Sequence, residues 1–153
     1  MATGLVVPVL LVAASVVPEI VSWSRLPEPL AVRFAPSGDP DGTLPKLGEL
    51  AFTGLLSVLP GLVVAFSVLG RARPRSSARG VVSVGFAAAT VAATVSVLVV
   101  VANAGAPSWE EARRLGLAGV LLPLALGALG ALLGWWAAGS CLDDTPPGGG
   151  DGA

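Results

Sequence analysis

Asp39 and Asp41 stand two residues apart in the run Ser37-Gly38-Asp39-Pro40-Asp41-Gly42. Carboxylates so placed can hold a cation or share acid–base work. A calcium loop counted from Asp39 needs Gly at its sixth position and Glu at its twelfth. Those positions are Leu44 and Leu50, so that reading fails. The favoured reading is structural: aspartates in tight turns whose side chains bond local backbone. Lys46, with Arg25 and Arg33, has the chemistry to grip lipid headgroups, but snorkelling at an interface is the simpler role. Histidine is absent and Cys141 is the single cysteine. That removes the usual general base, an internal disulfide and any multi-cysteine zinc site. No nucleophile–base pair is visible, so no catalytic residue, cofactor or metal is assigned, and an enzyme is not expected. Nine Lys and Arg against ten Asp and Glu give no field that would draw nucleic acid.

The elements that carry these residues follow from composition. Charged residues make up 12% and hydrophobic ones 54% of the chain, where a water-soluble domain carries about a quarter charged. Four apolar runs, at 5–21, 50–69, 81–102 and 115–138, are almost free of charge. About 20 apolar residues at 1.5 Å each cross a hydrocarbon core of roughly 30 Å. Backbone groups in lipid must pair within their own segment, so each run should be helical. The expected fold is all-α, a polytopic transmembrane four-helix bundle. Its helices are expected over about 4–22, 47–69, 81–102 and 109–138, within a membrane domain 1–142. A Pro/Gly-rich extracytoplasmic loop, 24–46, follows the first helix, and a disordered tail occupies 143–153. The first helix is expected to be retained, because its run is long for a signal peptide and Met1–Gly4 carries no base.

Local features refine this outline. Glu19 and Trp23 mark the exit of helix one, with Glu19 placed at the interface and the bundle interior as the lesser alternative. Five prolines between Pro27 and Pro45 forbid a long helix there. Residues 30–34 suit a short extended piece, and 37–42 read as successive turns. Glu49 falls in the first turn of helix two, where the dipole favours a carboxylate, and Pro60 should kink that helix. Ser108 and Glu111 form a capping-box pattern that should start helix four along the interface, with Trp109, Arg113 and Arg114 at headgroup level. Gly130 and Gly134 make a small-xxx-small step, read as packing within the molecule ahead of a dimer seam. Trp135 and Trp136 close helix four as an aromatic belt. No charge is expected in the middle of a span; Ser57, Ser67, Thr90, Thr94 and Ser96 are the polar groups at depth. That weighs against ion-coupled transport by a monomer.

Arg71, Arg73, Arg75 and Arg79 crowd the link between helices two and three, with no acid to offset them. The positive-inside rule keeps that link in the cytoplasm, and both termini with it. The two outer links hold Arg25, Arg33, Lys46, Arg113 and Arg114, one base more, so density rather than raw count decides.

The segment Leu26-Pro27-Glu28-Pro29-Leu30-Ala31-Val32-Arg33-Phe34, then Gly38, Asp41, Gly42 and Lys46, resembles the domain of unknown function 1648 family. These are bacterial membrane proteins in which a Leu-Pro, a His-Phe-type step, a Gly-x-x-Asp-Gly turn and a Lys follow the first transmembrane helix. Related sequence opens the SdpI-like proteins, which include an immunity protein. The match covers about 21 residues and the start of helix two, and the chain shows no extended resemblance to the C-terminal half of those proteins. Arg33 stands where the family usually has histidine, so a role that needs a titrating imidazole does not transfer. Pairing of Arg33 with Asp39, Asp41 or a phosphate remains open. The resemblance implies a multi-pass protein of the bacterial plasma membrane, expected to be a non-enzymatic accessory, sensor or immunity-like protein. Its partners are the lipid bilayer and either another membrane protein or a peptide. The alternative is a small permease or channel-like subunit that acts as an oligomer.

Overall fold

The computed structural model describes residues 3–69 and 75–143, with side chains at 12–60, 62 and 79–139. Four helices dominate: α1 (Thr3–Ser22), α2 (Lys46–Leu69), α3 (Arg75–Asn103) and α4 (Ala118–Asp143). Between α1 and α2 lies an antiparallel hairpin, β1 (Leu30–Phe34) and β2 (Pro40–Leu44). Helix α3 is the central element. On one side it packs against α1 and α2, which also pack on each other, and on the other side against α4.

Two helical stretches are long and apolar enough to cross a membrane: Arg79–Asn103, mean hydropathy 2.4, and Ala118–Gly139, mean hydropathy 1.9. At 1.5 Å per residue they measure about 37 and 33 Å. Burial separates two environments for such helices. Only 33% and 22% of their most apolar windows are covered, whereas the core helix of a water-soluble domain is largely enclosed. Leu121, Leu124, Leu132 and Leu133 on α4 lie open, as do Val84 and Val101 on α3. A surface this apolar suits hydrocarbon.

Small residues set the α3–α4 contact. Pro123, Gly127, Gly130, Gly134 and Ala138 form the buried stripe of α4, at steps of three and four residues. A Cβ on Gly127 would stand 2.6 Å from Val91 Cγ2. One on Gly130 would meet Thr90 Oγ1 at 2.5 Å, and one on Gly134 would meet Phe86 Cβ at 2.9 Å. The two helices therefore approach closer than any side chain at these positions permits. Ser83 Oγ uses that closeness to donate across the seam to the Ala131 carbonyl at 2.7 Å.

The hairpin pairs Leu30 with Leu44, Ala31 with Thr43, Arg33 with Gly42 and Phe34 with Pro40, with irregular register around Arg33. Residues 30–34 are extended, as their composition suggests. Residues 40–44, read in part as turns, are a strand; the tight turn is confined to 35–39. Its reversal is closed by Ala35 N–H to the Asp39 carbonyl and Gly38 N–H to the Ala35 carbonyl, both 2.8 Å. Gly38 takes φ +89°, a conformation that costs an L-residue. Pro40 is tolerated because β2 is an edge strand.

Helix four starts later than the capping-box pattern suggests. Ser108 makes no side-chain cap, and Trp109–Glu111 forms only a single 3-10 turn. The next residues find partners outside any helix: Arg113 N–H donates to the Ala102 carbonyl at 2.8 Å, and Leu115 N–H to the Gly38 carbonyl at 3.1 Å. Those bonds stretch the link across the end of α3 and the hairpin tip, so α4 begins at Ala118. At the opposite end, α3 begins at Arg75, earlier than its apolar run. Arg71, Arg73 and the tail beyond Asp143 lie outside the described residues, as do the side chains of Arg75 and Cys141.

Replacing Gly130 by Leu must push α4 off α3. We expect a loss of about 1–3 kcal/mol, read as a lower unfolding midpoint in detergent. By contrast, Leu129→Ile on the exposed face of α4 should leave the midpoint within experimental error.

Candidate functional site

Polar side chains on three helices meet where water does not reach. On α2, Glu49, Thr53 and Ser57 recur every fourth residue, which places them on one face, and all three are buried. On α1, Ser15 and Glu19 share the same spacing and are 0% and 1% exposed. Helix α3 contributes Ser96, also fully buried. The three polar faces turn toward each other and leave the apolar faces outward.

The contacts are specific. Ser57 Oγ lies 2.7 Å from Ser15 Oγ and 2.8 Å from the Thr53 carbonyl. Ser96 Oγ donates to the Ser15 carbonyl and lies 3.0 Å from Glu19 Oε1. One hydroxyl proton cannot serve both acceptors at once. Thr53 Oγ1 donates to Glu49 Oε1 at 3.2 Å. Glu19 Oε2 is buried with no hydrogen-bond partner at all. A carboxylate oxygen left in that state costs free energy. A buried acid with an unanswered oxygen is a place to look for function.

This arrangement corrects one expectation. Glu19 belongs to the bundle interior, because α2 and α3 close over it, although it lies near the end of α1. Glu49 sits in the first turn of α2 as expected, and its side chain turns inward to Thr53. The signal was present in the sequence as two polar series at four-residue spacing, 15–19 and 49–53–57, inside apolar runs. The hydroxyls of Thr90 and Thr94 do behave as expected, bonding the carbonyls of Phe86 and Thr90.

A cleft of about 760 Å³ opens between α2 and α3. Glu49 and Thr53 are its polar wall residues; the rest, including Phe52, Leu56, Pro60, Val84, Ala88 and Val95, are apolar or glycine. Glu49 thus belongs to both the buried cluster and the cleft.

Above the cluster the hairpin forms a cap on the helix ends. Asn103, fully buried at the end of α3, offers its amide to β1 as a strand would. Its Nδ2 donates to the Ala31 carbonyl at 2.8 Å, and its Oδ1 accepts from Ala31 N–H at 2.9 Å. Leu26, Leu30 and Val100 make the apolar base beneath, with Val32 against them. At the tip, a Cβ on Gly38 would stand 2.5 Å from Gly116 N, and Arg114 Nε pairs with Asp39 Oδ1 at 2.6 Å. Asp39 also accepts from Ser37 Oγ at 2.7 Å.

The residues of the family-like segment all fall in this cap. Arg33 pairs with Asp41 at 3.3 Å and donates to its carbonyl at 2.9 Å. Gly42 lies under the Arg33 side chain, where a Cβ would approach Cζ to 3.2 Å. Lys46 Nζ donates to the Trp23 carbonyl at 3.2 Å and stands 5.7 Å from the centre of its ring, tying α2 to the end of α1. Glu28 accepts from Lys46 N–H at 3.1 Å and so caps α2. No group of three or more metal-ligating side chains occurs among the described residues. Arg79, of the arginine-rich link, donates to the Gly139 carbonyl at 3.5 Å. Comparison with protein-family models, curated proteins and solved structures gives no match.

Two substitutions separate the parts. Asn103→Ala strands the N–H and carbonyl of Ala31, at about 1–3 kcal/mol for each buried group; the unfolding midpoint should fall accordingly. Glu19→Leu removes an unpartnered buried oxygen and should leave stability unchanged or raise it by up to about 2 kcal/mol. A fall of more than about 1 kcal/mol for Glu19→Leu would show that the acid supports the fold.

Proposed function

We propose that the chain is a non-enzymatic, multi-pass protein of the bacterial plasma membrane, with all four helices crossing the bilayer and both termini in the cytoplasm. Its role is that of an accessory, sensor or immunity-like protein, whose extracytoplasmic cap contacts lipid, a peptide or another membrane protein. The observation that carries this reading is the attachment of the cap. Asn103 holds β1, Arg114 and Leu115 hold the turn, and Lys46 holds the strand exit. A loop that served only to join α1 to α2 would need none of these bonds. A rigid surface binds a partner with less ordering cost than a loose one. The resemblance of residues 26–46 to the domain of unknown function 1648 family supports the same reading, since the shared residues are those that build the cap.

The buried pair Glu19 and Glu49 favours a second reading, a small permease or channel-like subunit that acts as an oligomer. Acids at depth commonly mark ion or substrate paths.

Labelling tests the first reading. In a Cys141→Ser background, Ser37→Cys should react with a membrane-impermeant maleimide on intact cells. A photo-crosslinker at Ser37 should give a discrete adduct, reduced several-fold by Gly38→Val, which detaches the tip, and unchanged by Glu49→Gln. Labelling only after the cells are opened would reverse the topology. Solute flux by the purified protein in liposomes, lost in Glu49→Gln, would move the lead to the permease.

A further inference from the structure

We propose that the cleft between α2 and α3 binds a lipophilic cation, an apolar molecule carrying one fixed positive charge, with Glu49 as its counter-ion. The proposal goes beyond the role of the cap. It concerns binding, whether or not the cation is then moved across the bilayer.

Three observations converge on that chemistry. The cleft holds about 760 Å³, within the range of pockets for small organic ligands, roughly 300–1,000 Å³. Its wall is apolar except at one end, where Glu49 and Thr53 stand. Small residues of α3, among them Gly80, Gly85, Ala88 and Ala92, hollow it out. An anion would meet a carboxylate in a medium that screens poorly. A neutral molecule would fill the volume and leave the acid unanswered. A small hydrated cation would exchange its water for hydrocarbon along most of the wall. An organic cation satisfies both parts, its apolar groups lying along α3 and its charge near Glu49.

The second acid points to a ligand independently. Glu19 Oε2 is wholly buried and unpartnered, and its other oxygen competes with the Ser15 carbonyl for the Ser96 hydroxyl. The cluster therefore holds more acceptor capacity than the protein supplies donors. The charged groups nearest along the chain, Lys46 and Arg25, do not compensate: Lys46 is turned onto Trp23, and Arg25 is exposed at the end of α1. Arg79, the base on α3 beside Gly80, is directed to the Gly139 carbonyl of α4, so a positive charge entering the cleft meets Glu49 and no base among the residues that line it.

Equilibrium dialysis with radiolabelled tetraphenylphosphonium, on the full chain in phosphatidylcholine nanodiscs, tests the site. We expect saturable binding of one cation per chain and at least tenfold weaker binding for Glu49→Gln. Ala88→Phe, which fills the cleft and leaves both acids in place, should weaken binding to a similar degree. Leu132→Phe on the exposed face of α4 and Asp39→Ala in the cap should bind as the parent does. An uncharged tetraphenyl analogue should not compete. Binding no greater than that of empty nanodiscs would overturn the proposal. So would retention of parent-like binding by Ala88→Phe, or by a Glu49→Gln protein that remains monodisperse. Binding without flux would leave the site standing and remove the permease reading, while loss of the Ser37 adduct would bear on the cap alone.

Discussion

Asn103 is the joint on which the two halves of the molecule depend. It ends α3, and with one side-chain amide it satisfies both backbone groups of Ala31 on β1. A buried strand edge needs a partner for every N–H and carbonyl, and the two-stranded hairpin can supply partners on one side only. Without the amide, Ala31 would have to sit in water, and Leu30 with it. Because Leu30 forms the base of the cap with Leu26 and Val100, the position of the whole 26–46 segment follows from that one residue. The link after α3 then completes the attachment at the hairpin tip.

Beneath the cap, the helices α1, α2 and α3 invert the usual amphipathic pattern. In water an apolar face turns inward; here hydroxyls and acids turn inward and leucines outward. Such an arrangement suits a hydrocarbon surrounding. Hydrocarbon offers no hydrogen bonds, so a serine or glutamate gains more from a neighbouring helix than from the surroundings. Ser15, Ser57 and Ser96 are spent on such bonds and account for how the three helices register. Glu19 is not fully accounted for, and a residue that departs from the rule of satisfied burial is where activity is most reasonably sought.

Helix α4 obeys a different logic. It carries no polar face, and its partner is chosen by shape: three glycines let it lie against Phe86, Thr90 and Val91 of α3. The remaining surface is leucine, suited to lipid or to another helix. The molecule thus has a polar seam on one side of α3 and a tight apolar seam on the other. The polar side carries a cleft with charge in it.

The helical content, the bounds of α1 and α2 and the broken segment between them were legible from the sequence. Each rests on local facts: unbroken apolar length, prolines, and turn residues. The spacing of Glu49, Thr53 and Ser57 was equally visible, but its meaning was not, since a polar stripe on one helix points inward or outward only in relation to its neighbours. The same holds for Ser108, whose capping pattern is sound locally and is overruled by backbone bonds to Ala102 and Gly38 from distant parts of the chain. Sequence alone determined that these segments are helices suited to an oily surrounding, because hydropathy and backbone hydrogen bonding act over neighbouring residues. Only the tertiary structure decided that Glu19 meets Ser96 and that Asn103 meets Ala31, because those pairings depend on which helix faces which, across dozens of residues of intervening chain.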